Sequence, residues 1–194
     1  GFTEQAITQY ELATIKAPEN GNIQLNLGNA LRKLRQFKES EAAYKRAIAL
    51  DPEYLVPPVN LGNLFLEMAK LNDSVAWYRY ALDRDDTCLP ALIGLGNAYC
   101  QQKVYEAGEQ ALHQAIEIAP NSAEAHCNLS HLYLATDKPE LALKHATRAI
   151  QLRPGFAEAL SNLGLAQKDL GDLEGAIKSL RAAVDSKENF TPAL

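Results

Sequence analysis

The sequence predicts an all-α fold, a solenoid of stacked helix pairs, from three observations. The first is a period. "NLGNAL" at 26–31 returns as "NLGNLF" at 60–65, "GLGNAY" at 94–99, "NLSHLY" at 128–133 and "NLGLAQ" at 162–167, with starts 34 residues apart each time. Self-similarity at such a period is the signature of a repeat array, in which each unit buries its apolar face against its neighbours. The second is helical spacing inside the unit. Leu27, Ala30, Leu31 and Leu34 follow the i, i+3, i+4, i+7 pattern of one amphipathic helix, and Ala43, Ala47, Ile48 and Leu50 continue it in another. The third is a set of small residues in fixed register: Gly28, Gly62, Gly96, Ser130 and Gly164 at position 8, Ser40, Ser74, Gly108, Ala142 and Ala176 at position 20, and Ala47, Ala81, Ala115, Ala149 and Ala183 at position 27. A glycine inside a helix costs about 1 kcal/mol relative to alanine. Its recurrence therefore points to close approach of two helices.

Taken in order, residues 1–20 match only the second helix of a unit, with Ala6, Tyr10, Ala13 and Pro18 in register. Five full units follow at 21–54, 55–88, 89–122, 123–156 and 157–190, and 191–194 begin another. The expected total is eleven helices, one from the partial unit and two from each full one. Prolines fall where helices tolerate them: Pro57 and Pro58 in a first turn, Pro139 at a helix start, and Pro52, Pro120 and Pro154 between units. The register implies a fragment of a longer array, or a small protein whose open ends pair with another copy. End-to-end association through Ile177, Leu180 and Val184 of the last helix is the corresponding expectation.

Composition narrows the function classes. At 47% hydrophobic and 22% charged, the 194-residue chain can bury a substantial core throughout. Lys and Arg are scattered and the net charge is -5, so there is no electrostatic footprint for nucleic acid. No apolar run approaches the roughly 18 residues of a membrane span, and the first residues, "GFTEQAITQY", lack the plan of a signal peptide. Cys88, Cys100 and Cys127 are odd in number and without CxxC spacing, which fits a reducing compartment, the cytoplasm.

The run "LGNAYCQQKVYEAGEQALHQAIEIAP", with its Leu-Gly, Tyr, Ala, Ala and Pro, resembles the tetratricopeptide repeat (TPR) family over essentially the whole chain. There are departures. The family's Trp near position 4 is replaced by Gln24, Pro58, Leu92, His126 and Leu160, and the aromatic of position 24 is present as Tyr10, Tyr44 and Tyr78 but becomes Leu112, Ala146 and Leu180. The resemblance implies a right-handed superhelix whose first helices line a concave groove at positions 2, 5, 6, 9, 12 and 13. Position 6 then carries Asn26, Asn60, Asn128 and Asn162, interrupted by Gly94, and position 9 carries Asn29, Asn63 and Asn97, then His131 and Leu165.

Asparagine costs a helix up to about 0.7 kcal/mol relative to alanine. Two columns of it suggest a purpose other than local stability. A carboxamide both donates and accepts, matching the main chain of an extended peptide. The asparagine columns are similar to those of the TPR arm of O-linked N-acetylglucosamine transferases. The candidate binding residues are thus Asn26, Asn29, Asn60, Asn63, Asn97, Asn128, His131 and Asn162. The resemblance to TPR modules that grip chaperone tails, with Lys at positions 5 and 2 and Arg at position 6, fails here: position 5 carries Leu25, Val59, Ile93, Cys127 and Ser161 and position 6 no Arg, so that function is disfavoured.

Catalytic chemistry is not in view. "HCNLSH" sets Cys127 and His131 four apart, but a third metal ligand is hard to find, because Cys100 is expected to lie well along the groove. His131 reads as a satisfied surface histidine and Cys127 as a small buried thiol, and His113 and His145 sit on second helices without a nucleophile pattern. No phosphate-cradling glycine loop, GxSxG or HExxH is present. The expected function is non-catalytic capture of an extended protein segment, with no cofactor. The alternatives are the substrate-recognition arm of a larger glycosyltransferase of the kind named above and a self-assembling structural module.

Overall fold

The computed structural model describes the chain from residue 2 to residue 188 and is all-helical over that range. Its helices are α1 (Phe2–Lys16), α2 (Gly21–Lys33), α3 (Phe37–Leu50), α4 (Val56–Glu67), α5 (Leu71–Leu82), α6 (Leu89–Gln101), α7 (Tyr105–Ile118), α8 (Ala123–Ala135), α9 (Pro139–Leu152), α10 (Ala157–Asp169) and α11 (Leu173–Glu188). This is the helix order the period predicts. The beginning of a further unit at 191–194 lies outside the described residues. The chain divides into two compact units, 1–98 and 99–194, with the division inside α6.

The helix starts use local devices that differ from pair to pair. Asn20 caps α2 by accepting from the backbone N–H groups of Asn22 and Ile23, and Ser122 caps α8 through Ala125 N–H. Pro57 and Pro58 lie in the first turn of α4 and Pro139 opens α9, where a missing N–H costs nothing.

The first helix of every full unit then stops in the same way. Backbone N–H groups of Gln36, Lys70, Val104, Lys138 and Asp172 reach back five residues to the carbonyls of Leu31, Phe65, Tyr99, Tyr133 and Gln167. That is the Schellman arrangement, and it requires a left-handed residue just before the donor. Arg35, Ala69, Lys103, Asp137 and Gly171 occupy this position with φ between 56° and 86°. Only the last is glycine. A side chain in the left-handed region costs roughly 1–2 kcal/mol, so Ala69→Gly should raise stability by about 1 kcal/mol after glycine's greater unfolded-state freedom is counted. An unchanged or lowered urea midpoint would contradict this.

The small residues do what their register suggests. A Cβ built on Gly28 would stand 2.6 Å from the Tyr44 ring, and one on Gly62 2.5 Å from the Tyr78 ring. Gly164 has the same relation to Leu180, at 2.7 Å. Bulk at position 24 of the second helix is thus accepted into a gap at position 8 of the first. A hydroxyl joins the two helices beside that gap. Ser40 Oγ donates to the Gly28 carbonyl and Ser74 Oγ to the Gly62 carbonyl, both at 2.8 Å. In the unit at 123–156 the residues are exchanged: Ser130 of the first helix donates to the Ala142 carbonyl of the second, again at 2.8 Å. The alanines at position 27, all within a few per cent of complete burial, close the second helices onto the core.

Candidate protein-binding face

In the unit 1–98, α2 and α4 lie side by side, joined across their exposed edge by Arg32 Nε donating to Glu67 Oε2 at 2.9 Å. Between them the asparagines are partly committed to the fold. Asn29 Oδ1 accepts from Tyr44 Oη at 2.8 Å and from Asn60 Nδ2 at 2.9 Å, and Asn63 Oδ1 accepts from Tyr78 Oη at 2.7 Å. The tyrosines belong to second helices, so each bond ties the face to the layer behind it. Such a bond contributes about 1 kcal/mol net. These amides thus contribute to the packing of the helices, although not to the local stability of the helix that carries them. Those bonds engage the oxygens of Asn29 and Asn63 and the nitrogen of Asn60, on residues that are half-buried, with Asn26 exposed on α2.

Gly94 explains the gap in the position 6 column. Its missing Cβ gives room to the Tyr78 ring, which touches the sites of both Gly62 and Gly94. An asparagine there would displace the ring. Position 5 also departs from its expected role, because Leu25, Val59 and Cys127 are buried rather than turned to the face. Asn97 is half-buried on α6.

In the unit 99–194 the columns diverge. Asn128 is half-buried and His131 exposed, whereas Asn162 is only 8% exposed. Asn162 Nδ2 donates to the Cys127 carbonyl at 3.2 Å and lies 3.7 Å from the Cys127 sulfur, which fastens α10 to α8. Leu165, at position 9, is exposed apolar surface. Cys100 is not remote from His131: its sulfur lies 3.7 Å from His131 Nδ1. Cys127 faces Asn162, and burial pushes its thiol up to about 12, the direction opposite to a metal-ready thiolate. Among the described residues no group of three or more His, Cys, Asp or Glu side chains is placed to hold a metal ion.

A histidine cluster in the same unit escapes a sequence reading. His126 is buried, 8% exposed, and His145 is 9% exposed. Their Nδ1 atoms are 3.0 Å apart, and His126 Nε2 lies 3.2 Å from the Pro120 carbonyl. A carbonyl only accepts, so His126 carries its proton on Nε2 and presents a lone pair at Nδ1. His145 must then donate from Nδ1. Beside the pair, Tyr133 Oη donates to Glu109 Oε1 at 2.8 Å, and His113 Nε2 is 3.2 Å from that hydroxyl. Burial holds the His145 imidazole down to about 4, and the cations nearby act in the same direction. Burial also lowers His126. The signal for His126 was its register: position 4, where the family has Trp, holds a buried residue in four of the five units.

Models of the tetratricopeptide repeat family match residues 22–54, 87–155 and 127–189. The chain is a tetratricopeptide repeat protein. TPR arrays are generally protein-interaction scaffolds. A crystal structure of MamA is 25% identical with a TM-score of 0.68, over 84% of this chain and 95% of that one. YrrB, whose structure is described as that of a TPR protein with an unusual peptide-binding site, is 19% identical with a TM-score of 0.63, over 93% of each chain. PilW, described as a widely conserved type IV pilus biogenesis factor, is 18% identical with a TM-score of 0.82, over 98% of this chain and 88% of that one. The last two show a shared TPR fold alone. No curated protein matches the sequence. No helix among the described residues is long and apolar enough to cross a membrane.

Proposed function

We propose that this TPR module holds an extended segment of a partner protein on the face formed by α2 and α4, through the partner's main chain. One observation carries the reading: Tyr44 and Tyr78 take the oxygens of Asn29 and Asn63, so each amide is held in place with its N–H₂ as the group it can offer a ligand. A donor fixed in advance loses little entropy on binding a peptide carbonyl. Asn60, whose nitrogen is engaged by Asn29, offers its oxygen to a peptide N–H. Support for peptide capture on a TPR scaffold comes from YrrB. The asparagine columns of the transferase arms suggest the same main-chain mode.

The internal bonds dictate the test. Asn29→Asp and Asn63→Asp keep the oxygen that accepts from tyrosine and replace the N–H₂ with a second acceptor. Peptides selected from a displayed random library on the wild-type chain should lose roughly tenfold in affinity with each change. Melting temperatures should stay close to wild type. Undiminished affinity in the double variant, or loss of folding without loss of affinity in the folded fraction, would sink the proposal.

A further inference from the structure

A cleft of about 410 Å³ opens beside the histidine pair, lined by His126, His145, Lys144, Thr147 and Arg148 against Ile116 and Pro120. Its polar walls hold no carboxylate. Lys144, Thr147 and Arg148 succeed one another on α9, so an ammonium and a guanidinium lie four apart with a hydroxyl between them. Like charges at that spacing oppose helix formation. Neither cation is relieved by an acid: Arg148 Nη2 donates to Asn121 Oδ1 at 2.7 Å and Nη1 to Gln151 Oε1 at 3.5 Å, both neutral amides. Those contacts hold the guanidinium in place without discharging it. Lys144 is in no ion pair among the described residues.

We propose that this cleft is a binding site for a phosphate monoester, the tetrahedral dianion that a held guanidinium, an adjacent ammonium and a hydroxyl would together satisfy. Arginine and lysine donors differ in a useful way here: the guanidinium fork aligns two oxygens, and the ammonium adds a compact charge. The site is distinct in chemistry from the amide face and does not depend on it. Histidine reports on it. Lys144 and Arg148 both act to keep His126 neutral, and Lys144 does so for His145. The other groups turned toward the pair are His113 and Glu109 of α7 and Tyr133 of α8, with Lys138 at the start of α9 region near Glu109. A bound dianion offsets the cations and lets the imidazoles protonate more readily.

The test uses the whole chain with sodium sulfate as probe, because sulfate keeps its double charge throughout the histidine range. Imidazole NMR titrations in sulfate and in chloride of equal ionic strength should differ, with the His126 and His145 transitions moved to higher pH in sulfate. Calorimetry should show saturable sulfate binding that weakens roughly tenfold or more in Lys144→Gln/Arg148→Gln. Both substitutions are on exposed side chains, and an unchanged melting temperature confirms folding. Inorganic phosphate and a phosphoserine peptide then identify the source: equal affinity assigns the site to a free anion, and tighter peptide binding assigns it to a phosphorylated partner. Identical titrations in sulfate and chloride, or binding that persists unweakened in the double variant, overturns the site.

Discussion

Tyr78→Ala should destabilise the folded chain by about 3–5 kcal/mol, the range for truncating a fully buried aromatic side chain. Tyr78 is 0% exposed. Its ring fills the gaps left by Gly62 of α4 and Gly94 of α6, and its hydroxyl donates to Asn63. Truncation therefore opens a cavity among three helices and strands an amide oxygen. Burial already pushes the phenol up to about 12, so the lost group is a neutral donor at any ordinary pH. The complementary change is Gly94→Ala, whose Cβ would collide with the ring. It should be costly alone and nearly harmless in the Tyr78→Ala background, where the cavity receives the methyl group. Urea denaturation of the four-member cycle measures this coupling. Additive effects would mean that the ring and the glycine do not oppose each other.

Acid should unfold the chain early through the histidine pair. The His145 pKa falls from an unfolded 6.5 to about 4 in the fold. Between those values the unfolded chain binds the extra proton, so stability falls as pH falls. The contribution is flat above about pH 6.5 and is lost progressively down to about pH 4, on the order of 3 kcal/mol in all and about 2 kcal/mol by pH 5. His126 shares a hydrogen bond with His145, so the two titrate as a pair. His145→Gln should remove most of this slope between pH 7 and pH 5 while leaving the remaining acid response in place. An equal slope in wild type and variant would place the acid sensitivity elsewhere.

The helix order was readable because the period is strict and glycine, alanine and proline each have a narrow range of tolerated positions. Gly28 and Gly62 announced close packing by their cost to a helix, and the tyrosine rings now occupy those gaps. The amides were harder. Their cost was also visible, but it had two possible beneficiaries, a ligand outside and a tyrosine inside. A partial clue lay in register: Tyr44 accompanies Asn29 and Tyr78 accompanies Asn63, and His131 and Leu165 stand where Ala146 and Leu180 have replaced the tyrosine, but Asn97 persists beside Leu112. Asn162 shares the register of Asn26, yet it is buried and bonded to the Cys127 carbonyl, a contact between α8 and α10 that the period does not reveal. The histidines gave no common signal, because His113, His126 and His145 come from three helices and meet only when those helices pack.

The exchanged serine has a bearing on how such chains can be recombined. Ser40 with Gly28, and Ser130 with Ala142, spell one inter-helix bond in two orders. Splicing the first helix of 123–156 onto the second helix of 21–54 would set two hydroxyls against one another, and the reciprocal splice would leave none. Half-pairs of 21–54 and 55–88, which share one order, can be exchanged with this bond intact, whereas a crossover in the middle of a unit between either of them and 123–156 loses it.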